Sequence, residues 1–367
     1  MTELVYDRLI DALVRLHGAI PIYKCPEFTA LIKELFTPEE AELAAALPPG
    51  MQPLQVISKH VDRPVEAIKP LLESMANKGL LFHRVRDDHP EYKLMAVLPG
   101  FFEFQFMKGG TTEHDHKMAR LFKNYFDKLA ERTKGAPPEL LKKLTPFSRV
   151  IPVEKEVAGG SQIQPYEIVS QYIRNTDSIS VSTCYCRHFA ELLGDPCHKP
   201  KRNCMAFGPN AKFIHERGYG QLVSKEEALK ILDEAEKAGL VHMSSNTAKH
   251  IDFICNCCAC HCGILKSFQT SDVFSLGAVS SFRLKIDQEA CTGCGDCLDR
   301  CPTKALAIKD AVVRLDARRC IGCGLCSSAC PSEALSMERR ENPPTPPWDH
   351  RALAAAMMES IQSAKNF

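Results

Sequence analysis

Apolar residues recur at helical spacing in several segments of the chain. In the first third, the pattern predicts helices over Met1–Gly18, Leu54–Val61 and Val65–Lys78. Farther on, it predicts a helix over Ser224–Ala238 and another that begins at Ile264. Each of these segments has one apolar face that must be buried against other elements.

Shorter segments show the two-residue alternation of half-buried strands or short apolar runs between polar stretches. The polar stretch over 84–91 separates two apolar runs and predicts the tip of a hairpin. The predicted strands are 80–82, 92–94, 178–182, 241–243, 250–254 and 282–287, with a second hairpin formed by 306–308 and 312–315. At 367 residues the chain is too long for one ordinary small domain, so a multidomain α+β fold is expected.

Two helices, a turn and a two-stranded hairpin follow one another over about 50 residues, an order that resembles a winged helix. The resemblance implies either DNA binding or protein docking. Residues 1–110 carry 12 Lys and Arg against 15 Asp and Glu, and the candidate recognition helix contains Glu66 and Glu73. A DNA-reading surface needs a basic face, so a docking or structural role is favoured. The positions from which a basic patch could still form are Lys59, Arg63, Arg84 and Arg86.

Composition narrows the class of protein. Hydrophobic residues make up 45% and charged residues 25% of the 367 positions, as in soluble globular proteins. The net charge of +1 gives no overall field that would draw the chain to nucleic acid or anionic lipid. No apolar run has the length of a membrane span. The 18 cysteines, without the pattern of an export signal, indicate metal binding in a reducing cytoplasm.

Eight of the cysteines repeat one spacing, C-x2-C-x2-C-x3-C-P, in two runs. Glycines between the cysteines let each loop curl so that backbone N–H groups can point at cluster sulfides. The pattern resembles that of bacterial two-cluster ferredoxins over about 55 residues. The resemblance implies two [4Fe–4S] clusters and low-potential one-electron transfer. The first run is Cys291, Cys294, Cys297 and Cys301, and the second is Cys320, Cys323, Cys326 and Cys330.

In ferredoxins of this kind, the fourth cysteine of each run binds the other cluster. The expected ligand sets are therefore Cys291, Cys294, Cys297 and Cys330 for one cluster, and Cys320, Cys323, Cys326 and Cys301 for the other. One alternative is that the clusters only hold a small domain together, for which two redox clusters are a poor device. The other is zinc, whose sites usually lack the third cysteine and the proline.

Nine further cysteines lie in the middle of the chain, five of them within the eight residues from Cys255 to Cys262. A buried strand is not expected to alternate cysteine with Asn, Ala and His. The nine are therefore interpreted as ligands of one or two further metal centres, with iron–sulfur as the first choice and structural zinc as the alternative. The nine are Cys184, Cys186, Cys197, Cys204, Cys255, Cys257, Cys258, Cys260 and Cys262, with His188, His198 and His261 as weaker candidates.

The order of these motifs resembles that of ferredoxin-like iron–sulfur proteins from anaerobic bacteria. It begins with Cys184-Tyr-Cys-Arg-His188, continues with Gly239-Leu-Val-His242 and ends with Cys255-Asn-Cys-Cys258. The resemblance implies redox function in an anaerobic host. In similar sequences the last segment carries still more cysteine, so His261 is a departure, which weakens a ligand role at that position.

Four regions are expected along the chain. Gly135-Ala-Pro-Pro138 indicates a linker, and the prolines around Trp348 indicate a stiff connector. The regions are a winged-helix-like domain over 1–135, a central cysteine-rich α/β domain over 136–279, a ferredoxin-like domain over 280–340, and a connector with a final helix over 341–367.

These features together predict an electron-transfer protein or subunit that serves a redox partner protein or a larger oxidoreductase complex. No glycine-rich nucleotide loop and no Ser/His/Asp set is visible, so no catalytic residue is predicted. Two alternatives stay open: an oxidoreductase with chemistry at a central cluster, and a regulator that senses redox state through its clusters and binds DNA. The sequence does not decide the oligomeric state.

Overall fold

The computed structural model describes residues 2–16, 22–134, 144–157, 164, 167–249, 251–270 and 277–365. The predicted linker over 135–138 lies outside these residues. The chain folds into two compact units. The first comprises Met1–Gly135, Tyr185–Pro196 and Lys212–Gln221, and the second comprises Ala136–Cys184, Cys197–Ala211 and Leu222–Phe367.

Helices and strands are mixed along the chain, as predicted. The helices are α1 Thr2–Arg15, α2 Pro26–Leu35, α3 Pro38–Ala45, α4 Leu54–Val61, α5 Val65–Asn77, α6 Phe101–Phe106, α7 Glu113–Thr133, α8 Val169–Asn175, α9 Tyr185–Leu192, α10 Pro209–Glu216, α11 Lys225–Lys237, α12 Gly263–Thr270, α13 Asp296–Arg300 and α14 His350–Lys365. The strands are β1 Gln52–Pro53, β2 Leu81–Arg86, β3 His89–Leu94, β4 Ser148–Ile151, β5 Ile179–Thr183, β6 Arg202–Phe207, β7 Gln221–Leu222, β8 Val241–Ser245, β9 Phe253–Cys257, β10 Gly277–Ala278, β11 Phe282–Ile286, β12 Leu306–Lys309, β13 Val312–Leu315 and β14 Leu335–Arg339.

The helices of the first unit bury their apolar faces in one core. α1 packs against α3, and α2 packs against α7. Leu9, Phe28 and Phe122 are fully buried where these faces meet. Thr37 at the start of α3 and Thr112 at the start of α7 each form a capping box with an acidic residue three positions on, which satisfies backbone N–H groups at both helix starts.

The segment that resembles a winged helix contains the predicted elements, with one difference. Helices α4 and α5 lie where predicted, and β3 pairs with both β1 and β2 in a three-stranded sheet. The predicted tip over 84–91 is wrong, because both strands continue until only Asp87 and Asp88 form the turn. Arg84 donates to Glu91 at 2.6 Å, and this pair extends the strands. The likeness to a winged helix stays a prediction.

A seven-stranded sheet is the centre of the second unit, in the order β10-β4-β8-β9-β6-β5-β7. The strands from β4 to β5 pair antiparallel, and β10 joins β4 in parallel. The predicted bounds of the strand over 250–254 are wrong, because β9 covers Phe253–Cys257 and so includes two cysteines. His250 lies outside the described residues.

Two apolar cores adjoin this sheet. Ile173 of α8 and Leu232 of α11 pack with Phe207 of β6 in the first. The second joins Phe268 of α12 to Ile321 of the tail's second cysteine run. That run is therefore part of the hydrophobic core of the second unit.

The tail consists of two antiparallel strand pairs around the cysteine runs. β11 pairs with β14, and β12 forms the predicted hairpin with β13, whose turn residues Asp310 and Ala311 have positive φ. The final helix α14 is held on the second unit, where the Thr145 hydroxyl donates to the Ala356 carbonyl at 3.1 Å. None of the helices in the described ranges combines the length and apolar character needed to cross a membrane.

Candidate metal centres

The two cysteine runs of the tail have equivalent backbone conformations. Gly293 and its counterpart Gly322 have φ of 68° and 70°, a region that side-chain-bearing residues rarely adopt. A Cβ on Gly293 would lie 2.2 Å from the Ala311 carbonyl oxygen, and one on Gly322 would lie 2.0 Å from that of Phe282. Each loop therefore needs glycine to pass so close to the neighbouring backbone.

Equivalent hydrogen bonds also follow the fourth cysteine of each run. Cys301 Sγ lies 3.7 Å from the Thr303 hydroxyl, and Cys330 Sγ lies 3.6 Å from the Ser332 hydroxyl. The Ala305 N–H donates to Cys301 Sγ at 3.2 Å. Burial alone would raise the pKa of Cys330, but hydrogen bonds from Ser332 and from backbone N–H groups outweigh it and lower that pKa. Such bonds stabilise thiolates and tune the potential of a bound cluster.

The four cysteines of one predicted set line a single pocket. Cys320, Cys323 and Cys326 come from the second run and Cys301 from the first, as cross-ligation requires. Burial raises the pKa of Cys323 to about 12, so thiolates here need the positive charge of a metal to be stable. The apolar walls are formed by Leu284, Leu306, Leu315 and Met337. This donor set and its apolar surroundings fit a [4Fe–4S] cluster.

The other predicted set lies nearer the solvent. Burial raises the pKa of Cys297 to about 11, and the charges of Cys294, Cys330 and Cys291 add to the shift, which places these four together. Cys294 is exposed, whereas the first three cysteines of the second run are buried. The charge of Cys297 also raises the pKa of Cys326, a member of the other set, so the two sets are close neighbours.

Eight of the nine central cysteines form two groups in the second unit. The first group, here called the five-thiol group, joins four segments: the end of β5, the strands β6 and β9, and the turn before α12. Hydrogen bonds connect Cys255 with Cys204 and Cys257, and Cys257 with Cys262. The hydrogen bonds to Cys255 lower its pKa to about 6. The five members are Cys184, Cys204, Cys255, Cys257 and Cys262.

The second group consists of Cys197, Cys258, Cys260 and His261, here called the Cys3His group. One ligand atom from each residue lies within 4.8 Å of all the others. Cys197 Sγ and Cys260 Sγ are 3.4 Å apart. His261 was a weak ligand candidate because it departs from similar sequences, and its spacing does not reveal that Cys197 folds back onto this turn.

The remaining candidates are not among the members of these two groups. Cys186 is half-buried in the first turn of α9, in the first unit, and His198 is exposed. His188 is buried, with Nε2 2.8 Å from the Gly110 carbonyl oxygen and Nδ1 3.2 Å from Glu191. These contacts give His188 a structural role in the first unit.

The expectation that no buried strand would alternate cysteine with asparagine is wrong. Asn256 lies between Cys255 and Cys257 in β9 and is almost fully buried. Its amide is satisfied on both sides, because Nδ2 donates to the Asn203 carbonyl at 2.6 Å and Oδ1 lies 2.6 Å from His242 Nδ1. A polar residue can occupy the middle of this strand because both of its polar atoms have partners.

Comparison with known proteins agrees with the geometry of the tail. A protein-family model described as a 4Fe-4S dicluster domain matches residues 283–331. No curated protein and no solved structure matches the chain. The tail is therefore an iron–sulfur, ferredoxin-like region with the capacity for electron transfer. The assignment of individual cysteines to each cluster stays a prediction, as does the metal content of the central groups.

Proposed function

We propose that the protein transfers single low-potential electrons between its two tail clusters and an oxidoreductase partner. The observation that carries this proposal is the pair of adjacent four-cysteine sets, one open to solvent at Cys294 and one buried around Cys323. Bound clusters would each supply one-electron redox chemistry. The chain's own residues hold them close together and exclude water from the inner set.

The exposed set is the side at which we expect a redox partner to dock. Electron transfer needs a short path, and Cys294 is exposed, whereas the other seven tail cysteines are buried or half-buried. The inner set contacts the core of the second unit through Ile321. Electrons would therefore enter or leave through the outer set and reach the central region through the inner one. We propose a cytoplasmic location and a further metal centre at the five-thiol group, which would lengthen this path if that centre is an iron–sulfur cluster.

The test begins with anaerobic purification of the full chain, followed by iron and sulfide counting and EPR after reduction with dithionite. We expect about eight irons from the tail and two interacting paramagnetic clusters on reduction. Fewer irons, or clusters that dithionite does not reduce, would overturn the proposal. A spectroelectrochemical titration then measures whether the potentials lie in the low range expected of ferredoxins.

Single cysteine-to-serine variants test cross-ligation. Cys294→Ser and Cys330→Ser should alter the EPR signal of the same cluster, although they lie in different runs. Cys323→Ser and Cys301→Ser should each alter the EPR signal of the other cluster. If Cys330→Ser instead affects the cluster that Cys323→Ser affects, the cross-ligated assignment is wrong. Cys25→Ser, in the first unit, is the matched control and should change neither signal.

A further inference from the structure

The Cys3His group has the geometry of a site for one metal ion. Cys197, Cys258, Cys260 and His261 each bring one ligand atom to within 4.8 Å of the other three. We propose that this group binds a single tetrahedral Zn²⁺, separate from the clusters of the tail. The inference is independent of the electron-transfer proposal, because it concerns different residues and a metal that does not change oxidation state.

Interatomic distance distinguishes this site from a cluster site. Around tetrahedral zinc with Zn–S bonds of about 2.3 Å, two thiolate sulfurs lie about 3.8 Å apart. Cys197 Sγ and Cys260 Sγ are 3.4 Å apart, and a hydrogen bond also joins Cys258 with Cys260. A [4Fe–4S] cube binds its cysteines through four different iron atoms, so their sulfurs lie farther apart.

The cysteines of the tail are spaced differently from those of the Cys3His group. All eight of its cysteines lie in the part of the chain that the structure describes, and no hydrogen bond there joins one tail thiol to another. The same fold thus contains loosely spaced thiols where the 4Fe-4S dicluster match lies and closely spaced ligands at the Cys3His group. The spacing assigns the tail to clusters and this group to a single ion.

The chemistry of the four donors also fits zinc. Three thiolates and one imidazole are a common structural zinc set, and four protein ligands fill the tetrahedron without leaving a position for substrate. The Cys-x-Cys-His part lies in the turn between β9 and α12, and Cys197 comes from a loop remote in sequence. Cys258 is buried against Leu240. The zinc would fasten the Cys197 loop to this turn.

The experiment measures zinc and iron together in the full chain, purified anaerobically from medium that contains both metals. Cys260→Ser and His261→Ala should each lose one equivalent of zinc per chain and keep the wild-type iron content. Cys294→Ser is the matched control, because Cys294 is also an exposed cysteine but belongs to the tail. It should lose iron and keep zinc. The opposite pattern, in which Cys260→Ser loses iron and not zinc, would overturn the proposal.

His261→Cys gives a second test that does not depend on losing the metal. This variant should keep its zinc, while the zinc X-ray absorption spectrum should lose the contribution of one nitrogen neighbour. Wild-type protein without zinc, or an unchanged nitrogen contribution in His261→Cys, would overturn the zinc site. Neither result would affect the electron-transfer proposal, which depends on tail iron and its EPR signals.

Discussion

His242 Nδ1 donates a hydrogen bond to Asn256 Oδ1 at 2.6 Å in the interior of the central sheet. The bond joins β8 to β9, and Asn256 continues it to the Asn203 carbonyl on β6 at 2.6 Å. Side chains alternate across a strand, so Asn256 points away from the face that carries Cys255 and Cys257. A buried polar chain thus fixes the strand whose other face presents thiols of the five-thiol group.

Removing this amide should destabilise the second unit. Asn256→Leu leaves the buried His242 nitrogen and the Asn203 carbonyl without their partner, which costs about 1–3 kcal/mol for each group. We expect a lower midpoint of urea unfolding. The midpoint is measured by the fluorescence of Trp348, the single tryptophan of the chain. Asn175→Leu, at an exposed position of the same unit, is the control and should leave the midpoint nearly unchanged. Equal midpoints for both variants would contradict the proposed role of these buried hydrogen bonds.

The inner cluster should depend on the absence of a side chain at position 322. Gly322→Ala places a Cβ against the Phe282 carbonyl oxygen at a positive φ, so the loop must move away from its strand. We expect the iron content to fall by about four per chain, the content of one cluster. Gly263→Ala is the control, because it also neighbours a cysteine but has open space around its Cβ. Full iron content in Gly322→Ala would show that the close approach is unimportant.

Glu40 should make the first unit sensitive to acid. Burial alone would raise the pKa of Glu40, but hydrogen bonds from Lys78, the Thr37 N–H and Ser74 outweigh it and hold that pKa below its usual value of 4.5. Since the folded-state pKa is depressed, the stabilisation is present above pH 4.5. It is lost as the pH falls through the folded-state pKa.

Glu40→Gln should therefore lower the free energy of unfolding by about 2 kcal/mol at pH 7, and the difference from wild type should shrink below pH 4.5. The measurement is the midpoint of urea unfolding, followed by circular dichroism, at pH 7 and at a pH below 4.5. Glu39→Gln is the matched control, because Glu39 is exposed and its 3.4 Å contact with Arg63 contributes little. A pH-independent difference between the two variants would be inconsistent with this account.

The winged-helix-like segment should not bind DNA. Carboxylates lie beside three of the four basic residues from which a patch was considered: Glu39 beside Arg63, Glu91 beside Arg84 and Asp87 beside Arg86. Their positive charge is therefore offset locally, whereas DNA affinity requires cations that neutralise phosphates. We expect no salt-dependent retention on duplex DNA in gel-shift series with oxidised or reduced protein. A retention that weakens steeply with salt would revive the regulator hypothesis.

The sequence predicted those features that depend on local spacing. The cysteine runs, the hairpin around Asp310 and the helices α4 and α5 each arise from residues close together in the chain, so periodicity and turn chemistry reveal them. Helices α2 and α3 were missed. The sequence nevertheless signals where they start, because Pro26 and Pro38 occupy their first helical positions.

The central groups depend on contacts between remote segments, which spacing does not reveal. His261 departs from the cysteine-rich pattern of similar sequences, and the return of Cys197 to this turn completes a set of four with Cys258 and Cys260. Likewise, a polar residue such as Asn256 is not expected in a buried strand. The structure places His242 opposite it on β8, where the two side chains form a hydrogen bond. A single sequence contains the donors of these sites but not the pairing of strands that brings them together.

The packing of the second cysteine run against the central sheet ties the assembly of the protein to its iron supply. Ile321 and Leu325 flank Cys323 and enter the same core as Phe268, and the Val153 N–H donates to the Cys323 carbonyl at 3.0 Å. A chain made without iron would hold three buried cysteine thiols beside this core, at the position where the inner cluster is expected. Iron starvation would then loosen the central sheet as well as the tail, and cellular proteases would remove unloaded chains.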